Sequence, residues 1–188
     1  AKKSKSQRFF PSLKKNFREK LEKAFLSADI PLHKLQNPLI CQLFTDLGQL
    51  VPSQSACRVQ VDVLAADNVL RVKELLHMKT VFLVVDESEV SGRKYLNVLV
   101  GDTAVPEKVY VMDCSVVESV NQAVVVTKID DVLKRLDVQR NNFVLLLSDA
   151  ASYMTACTNA LKLLYPRLFH VTCMAHLLHN CAEKVRSH

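Results

Sequence analysis

Residues 80–117, TVFLVVDESEVSGRKYLNVLVGDTAVPEKVYVMDCSVV, decide the fold of this chain. The run 80–86 is apolar up to its final acid, which is typical of a short strand buried on both faces. Residues 94–102 alternate between apolar and polar side chains, and residues 108–117 form a valine-rich run, so both are predicted strands. Because the connections between these runs are short, we expect an antiparallel meander.

After residue 117 the sequence alternates between helical and strand-like patterns. The predicted helices span 118–137, 150–166 and 175–188, and the predicted strands between them span 141–149 and 168–174. The element order from residue 80 is therefore β-β-β-α-β-α-β-α. Strands joined through a helix run parallel, so the last two strands should be parallel to the first. This order predicts an α/β fold with a ribonuclease H-like mixed sheet.

The region before the first strand is predicted to be α-helical. Its apolar residues recur at helical spacing over 13–27, 32–48 and 51–79. Residues 1–12 lack this pattern and are predicted to be disordered, with Pro11 as a break. The predicted domains are a basic, partly disordered arm (1–24), a helical lead-in region (25–78) and a ribonuclease H-like domain (79–188).

The formal net charge of +6 is concentrated at the N-terminus. Residues 1–23 hold nine Lys and Arg against two acids, a net +7, which leaves 16 basic and 17 acidic residues, a net −1, in the rest. Such arms neutralise nucleic-acid phosphates or act as nuclear-import signals, although a solvated tail or a basic helix face has the same composition. The candidate nucleic-acid-binding residues are Lys2, Lys3, Lys5, Arg8, Lys14, Lys15 and Arg18.

Composition restricts the class of protein. Apolar residues make up 49% of the chain, which excludes a disordered class, and no apolar run approaches the ~20 residues that span a membrane. The six cysteines lie mostly within apolar, periodic segments, so we expect reduced thiols in an intracellular protein. Because the first residue is Ala1 and not Met, we expect a processed product or a fragment of a longer protein.

Two acids follow predicted buried strands directly. Asp86 ends the first strand and Asp149 ends the fourth. In a ribonuclease H-like sheet these strands are neighbours, about 4.8 Å apart, so the two carboxylates would face a common gap that suits Mg²⁺. The alternative is structural, because acids often end strands where the chain reaches water, and Asp149 would also serve as an N-cap for the helix that follows.

The closing stretch FHVTCMAHLLHNCAEKVRSH (169–188) holds two cysteines and four histidines, which raises the question of a zinc site. Cys173 and His176 could share one helix face. Cys181 lies eight residues beyond Cys173, about 12 Å along a helix, so one ion cannot bridge both thiols. Since no C-x₂-C pair occurs in the chain, we expect no zinc there and place Cys173, Leu177 and Leu178 in the core.

Four segments resemble the hAT superfamily of DNA transposases and its domesticated relatives, the CGG triplet repeat-binding proteins. The segments are LSADIPLHKLQNPLICQLF (26–44), FLVVDESEVSGRKYLNVLVG (82–101), LLLSDAASYM (145–154) and LYPRLFHVTCMAHLLHNCAEKVR (164–186). They occur in the family's order, and the resemblance covers about residues 25–188.

The resemblance implies specific site residues. Asp86 and Asp149 match the first two acids of the family's Asp-Asp-Glu magnesium site, and Cys173 and His176 match a family motif that we interpret as structural. The family's third acid follows a long helical insertion, and neither it nor the insertion's tryptophan occurs before His188. The family's N-terminal zinc finger is also missing from these residues. Other acids near the motifs lack the context of the third acid: Glu87, Glu89 and Glu183.

These features predict a non-catalytic, nuclear, DNA-associated protein that acts in transcription or chromatin regulation. Its basic arm would contact DNA, Mg²⁺ would bind weakly at Asp86 and Asp149, and the chain is a candidate homo-oligomer with no membrane partner. One alternative is a fragment of an active Mg-dependent transposase, and another is a protein-interaction module that does not bind DNA.

Overall fold

The computed structural model describes residues 11–187, with side chains from residue 17 onward. The helices within this range are α1 (Pro11–Ser27), α2 (Pro38–Asp46), α3 (Gln54–Leu75), α4 (Gln122–Arg135), α5 (Ser152–Lys162) and α6 (Met174–Arg186), with a 3₁₀ turn at Leu32–Gln36. The strands are β1 (Val81–Val90), β2 (Arg93–Asp102), β3 (Val109–Val117), β4 (Phe143–Ser148) and β5 (Phe169–Thr172). Of the disorder predicted for residues 1–12, the part before Pro11 lies outside the described residues, and the part at Pro11 and Ser12 is wrong, because both residues belong to α1.

The five strands form one mixed sheet in the order β3-β2-β1-β4-β5. β1, β2 and β3 are antiparallel neighbours, whereas β4 pairs in parallel with β1 and β5 pairs in parallel with β4. The parallel strands are joined through α4 and α5, as the crossover rule requires. The predicted α/β class is confirmed, with a ribonuclease H-like mixed sheet that follows N-terminal helices.

The prediction that the first strand ends at Asp86 is wrong. β1 continues to Val90 and pairs along its whole length with β2, so Glu89 lies opposite Lys94. Ser91 and Gly92 form the turn, and both have positive φ, of 52° and 73°. A two-residue turn of this kind matches the twist of an antiparallel hairpin, and glycine adopts it without strain.

The predicted helix over 32–48 is broken at Asn37. The Asn37 side chain accepts a hydrogen bond from the Leu39 backbone N–H at 2.9 Å, and Pro38 occupies the first turn of α2. Asparagine is a strong N-cap and proline is favoured just inside a helix start, so this pair begins a new helix.

The first helix, α1, begins at Pro11, two residues before the predicted start.

One face of the sheet carries the core of residues 68–188, which form a compact unit. Leu83, Val98 and Leu146 are fully buried at inward positions of three neighbouring strands. Ile129 of α4 and Leu161 of α5 are fully buried in the same cluster, together with the C-terminal part of α3.

The described residues up to Asp67 form the other compact unit. It buries Leu21, Leu35 and Cys57, and the rings of Phe17 and Phe44 meet edge to face with centroids 5.7 Å apart. Burial raises the pKa of the Cys57 thiol to about 11, which keeps it protonated at neutral pH. The division between the units falls inside α3, and the boundary predicted at 78/79 stays a prediction.

None of the six cysteines forms a disulfide bond, and the reduced state expected from the sequence stays a prediction. The intracellular location stays a prediction. None of the helices between residues 11 and 187 is both long and apolar enough to cross a bilayer.

Replacing Leu146 by Ala should lower the free energy of unfolding by about 2–5 kcal/mol, because Leu146 is fully buried in the central strand pair. Leu163, which is 86% exposed, provides the matched control. Leu163→Ala should change the free energy of unfolding by less than about 0.5 kcal/mol. Urea denaturation followed by circular dichroism measures both. Equal effects of the two substitutions would contradict the assigned core.

Candidate functional site

The pairing of β1 with β4 brings Asp86 and Asp149 together. The parallel register places Val84 opposite Leu147, and each acid lies two residues further along its strand direction. Neighbouring strands are about 4.8 Å apart, and the charges of both acids act on His176 and on Tyr153, so Asp86 and Asp149 lie near one another beyond the end of β4. The neighbouring strands expected from the sequence are therefore present, although the role of these acids stays a prediction.

The Asp149 carboxylate shapes the loop that leads into α5. Its Oδ1 accepts a hydrogen bond from the Ala151 backbone N–H at 3.1 Å, which is the geometry of an Asx turn. The N-cap of α5 is Ala151, so the predicted N-cap role of Asp149 is wrong. The turn fixes the Asp149 side chain at the edge of the sheet and does not cap the helix.

His176 approaches Asp86 from the first turn of α6, with its Nε2 3.7 Å from Asp86 Oδ1. The pKa of His176 is raised, first by the neighbouring Cys173 side chain, against an opposing effect of burial, and then by the charges of Asp86 and Asp149. Within the described residues, the buried His176 Nδ1 has no hydrogen-bond partner.

Cys173 is the N-cap residue of α6 and is half-buried. The pKa of its thiol is lowered, first by the His176 backbone N–H and then by the His176 side chain. The predicted core position is wrong for the two leucines that follow, because Leu177 is 39% and Leu178 is 65% exposed. The motif residues Cys173 and His176 therefore lie beside the acids, an arrangement that sequence spacing did not reveal.

Glu87 is held on the α5 side of the site. Its carboxylate accepts hydrogen bonds from Lys94 Nζ at 2.9 Å and from the Tyr153 hydroxyl at 3.0 Å. Burial raises the pKa of Tyr153, and the negative charges of Asp149, Glu87 and Asp86 raise it further, so the phenol remains a hydrogen-bond donor. The contact ties α5 to β1, and thereby supports the loop that carries Asp149.

A second contact fixes the ends of β4 and β5. The buried Ser148 hydroxyl is hydrogen-bonded to His170 Nε2 at 2.8 Å, and the Cys173 backbone N–H donates to the Ser148 carbonyl at 2.7 Å. Burial lowers the pKa of His170, which favours the neutral ring. These two contacts join the end of β4 to the end of β5 and to the start of α6. Because the His170 ring is neutral, they add no charge next to Asp149.

Asp86 and Asp149 supply ligand atoms of the type that magnesium prefers. Two carboxylates supply the hard oxygen ligands that Mg²⁺ prefers, and Mg²⁺ is commonly held by one or two carboxylates together with water and substrate phosphates. No three His, Cys, Asp or Glu side chains within the described part of the chain form a metal-binding group. Asp86 and Asp149 would therefore hold Mg²⁺ weakly unless phosphate oxygens completed its coordination.

The predicted basic arm is described only in part. Lys2, Lys3, Lys5 and Arg8 lie outside the described residues, and Lys14 and Lys15 lie in α1, whose side chains are described only from residue 17. Arg18 is held inside the helical unit: its Nε lies 3.0 Å from the fully buried Glu22 carboxylate, and its guanidinium donates to the Ala56 carbonyl. A structural role for Arg18 follows from these contacts, whereas phosphate binding by the arm stays a prediction.

No protein-family model and no curated protein matches this chain. A Bacteroides thetaiotaomicron protein with an actin-like ATPase fold and unknown function is 10% identical over 55% of this chain and 37% of that chain, with a TM-score of 0.35. The pre-cleavage Mos1 transpososome is 14% identical over 94% of this chain and 62% of that chain, with a TM-score of 0.36. The Mos1 strand transfer complex is 12% identical over 90% of this chain and 60% of that chain, with a TM-score of 0.33.

This chain therefore spans less than two thirds of the length of each of these three chains. The strand order and the parallel register of β1 and β4 define the class, an α/β domain with a ribonuclease H-like sheet.

The pKa of His176, followed by NMR titration of its ring protons, should lie above the ordinary value of about 6.5. Cys173→Ser should lower it more than Asp86→Asn does, because Cys173 is the larger cause of the rise. Since the folded-state pKa is raised, the imidazolium interactions stabilise the fold below about pH 6.5 and are lost as the pH rises through the folded-state pKa.

Glu89→Gln is the matched control for this titration, because Glu89 is not among the groups that act on His176. The control should leave the His176 pKa unchanged. A wild-type His176 pKa at or below 6.5 would contradict the described surroundings of His176. So would a change of the His176 pKa in Glu89→Gln that is as large as the change in Cys173→Ser.

Proposed function

We propose that this chain is a DNA-associated protein of hAT transposase descent that acts in the nucleus, in transcription or chromatin regulation, without strand-transfer activity of its own. The observation that supports this proposal best is the position of Asp86 and Asp149, each two residues past the paired residues Val84 and Leu147. Two acids at equivalent positions of neighbouring parallel strands match, in kind and in order, the first two acids of the family's site.

The charge distribution supports contact with nucleic acid. Residues 1–23 carry a net +7, nine bases against two acids, whereas the remaining residues carry −1. A short segment with such a high density of positive charge binds phosphates and releases their counterions, so its affinity for DNA falls steeply as the salt concentration rises. Such a contact is independent of DNA sequence, so the arm would supply affinity and not specificity.

Two carboxylates do not make a strand-transfer site. In-line phosphoryl transfer requires ligands that fix both the attacking and the leaving oxygens, usually around two metal ions. Glu87, the acid next to Asp86, is engaged by Lys94 and Tyr153 and cannot act as a third ligand without breaking both contacts. We therefore expect that the chain binds DNA and does not cut it.

Magnesium, when bound, would neutralise a phosphate of the DNA backbone next to the acids. The residues of the chain would position that contact. Asp149 is oriented by its Asx turn, and α5 is held to β1 by the Glu87–Tyr153 hydrogen bond. When protonated, His176 places a positive charge next to Asp86 and would compete with the metal there, so metal binding should strengthen as the pH rises above the His176 pKa.

Fluorescence anisotropy with duplex DNA over a salt series tests the proposal. The arm variant changes Lys2, Lys3, Lys5 and Arg8 to Gln. It leaves α1 intact, whereas deletion of residues 1–23 would remove the buried Leu21 and Glu22. Because each phosphate contact contributes about −0.9 to the slope of log K against log salt, the arm variant should lower the slope by about 3–4 and bind more weakly at every salt concentration.

The matched control changes four exposed bases outside the arm to Gln: Arg58, Arg71, Arg93 and Lys108. It removes the same charge and should bind DNA nearly as wild type does. An equal loss in both variants would show that only net charge matters, and the absence of wild-type binding would favour the protein-interaction alternative. Mg-dependent strand cleavage by the wild-type chain would instead favour an active transposase fragment.

A further inference from the structure

The backbone pairing between β1 and β4 ends before it reaches the two acids. Its last pair is Val84 opposite Leu147, and Asp86 and Asp149 each lie two residues further along the chain. Past this pair, among the residues that the structure describes, one hydrogen bond joins β1 directly to residues 148–153, and Tyr153 donates it. The separation of the two acids therefore depends on a contact outside the sheet.

Tyr153 is placed to make this contact rigid. It is the second residue of α5 and lies four residues after Asp149. Its ring packs against the core of its unit, and its hydroxyl donates to Glu87 Oε2 at 3.0 Å. Burial raises the pKa of Tyr153 most and the charge of Asp149 raises it next, so the hydroxyl lies close to Asp149 as well as to Glu87.

Glu87, the acceptor of this hydrogen bond, is itself held in place. Its Oε1 accepts a hydrogen bond from Lys94 Nζ at 2.9 Å, and Lys94 belongs to β2, which pairs with β1 along this whole stretch. Because Glu87 directly follows Asp86, a side chain bound to Glu87 also restrains the backbone at Asp86. The hydrogen bond from Tyr153 therefore ties the chain at Asp149 to the chain at Asp86.

We propose that Tyr153 is a positioning residue for the metal site, and that its hydrogen bond to Glu87 sets the separation of the Asp86 and Asp149 carboxylates. The inference rests on the proposed function, in which these two acids hold Mg²⁺ next to a DNA phosphate. Tyr153 supplies no ligand atom in this role. Groups that orient metal ligands from outside raise the affinity of a site, because the ligands are held near their bound arrangement in advance.

The same hydrogen bond has an alternative role with the opposite effect. If it only kept Glu87 away from the metal, its loss would add a third carboxylate and tighten metal binding. Successive side chains of a strand point to opposite faces of the sheet, so Glu87, which faces α5, points away from the side that carries Asp86. This direction favours the positioning role.

Tyr153→Phe tests the proposal, because it removes the hydroxyl and leaves the ring and the charge of the site unchanged. The affinity of the whole chain for Mn²⁺, which replaces Mg²⁺ at carboxylate sites, is measured by NMR titration in the presence of duplex DNA. The variant should bind Mn²⁺ about 3–10-fold more weakly, less than the ~10–100-fold lost with a direct partner of a metal ligand.

Hydrogen exchange of the Ala151 backbone N–H gives a second measurement that needs neither metal nor DNA. This N–H donates to Asp149 Oδ1, so its exchange rate reports how firmly the Asp149 side chain is held. Tyr153→Phe should raise the Ala151 exchange rate severalfold.

Tyr165→Phe is the matched control. The Tyr165 hydroxyl also donates to a carboxylate, Asp130 Oδ1 at 3.3 Å, and its ring meets Phe143, which begins β4 at the end opposite Asp149. The control should leave both the Mn²⁺ affinity and the Ala151 exchange rate at their wild-type values. Urea denaturation of both variants separates a loss of stability from an effect on the site.

Unchanged or tighter Mn²⁺ binding by Tyr153→Phe would overturn the proposal. An Ala151 exchange rate that stays at the wild-type value, or an equal effect of Tyr165→Phe, would overturn it too. A wild-type chain that binds no Mn²⁺ at the two acids would overturn the metal site of the proposed function as well. Wild-type affinity in Tyr153→Phe would overturn only the role of Tyr153, so the two failures are distinguishable.

Discussion

The parallel pairing of β1 with β4 is the constraint on which the rest of the structure depends. It joins two apolar strands at the centre of the sheet and requires a helical crossover, which α4 supplies. Leu83 and Leu146, which are opposite each other in this pairing, are both fully buried in the core. The same register places Asp86 beside Asp149, so the candidate site is a consequence of the core.

Much of this arrangement could be predicted from the sequence. The runs that contain Leu83 and Leu146 are short, apolar and separated by a helical pattern, and these signals are local. The predicted end of the first strand at Asp86 lies four residues before the observed end at Val90, because Glu87 and Glu89 are polar although their backbone pairs with β2. Strand length here is set by pairing with a neighbour, which a single strand's composition does not reveal.

The surroundings of the two acids could not be predicted in the same way. The approach of His176 to Asp86 and the contact of Tyr153 with Glu87 join residues 90 and 66 positions apart, and no local pattern marks them. The exposure of Leu178 also escaped prediction, because an apolar residue at helical spacing indicates a face but not its partner. The motif that resembles a transposase pointed to His176, and the structure showed what it contacts.

Paramagnetic broadening by Mn²⁺ tests the central claim most directly, because Mn²⁺ replaces Mg²⁺ at carboxylate sites and broadens the NMR signals of nearby nuclei. With duplex DNA present, we expect that signals around Asp86 and Asp149 broaden together at low Mn²⁺ and that Asp149→Asn abolishes the effect at both segments. Broadening at one segment alone, or an effect that survives Asp149→Asn, would show that the two carboxylates do not form one site.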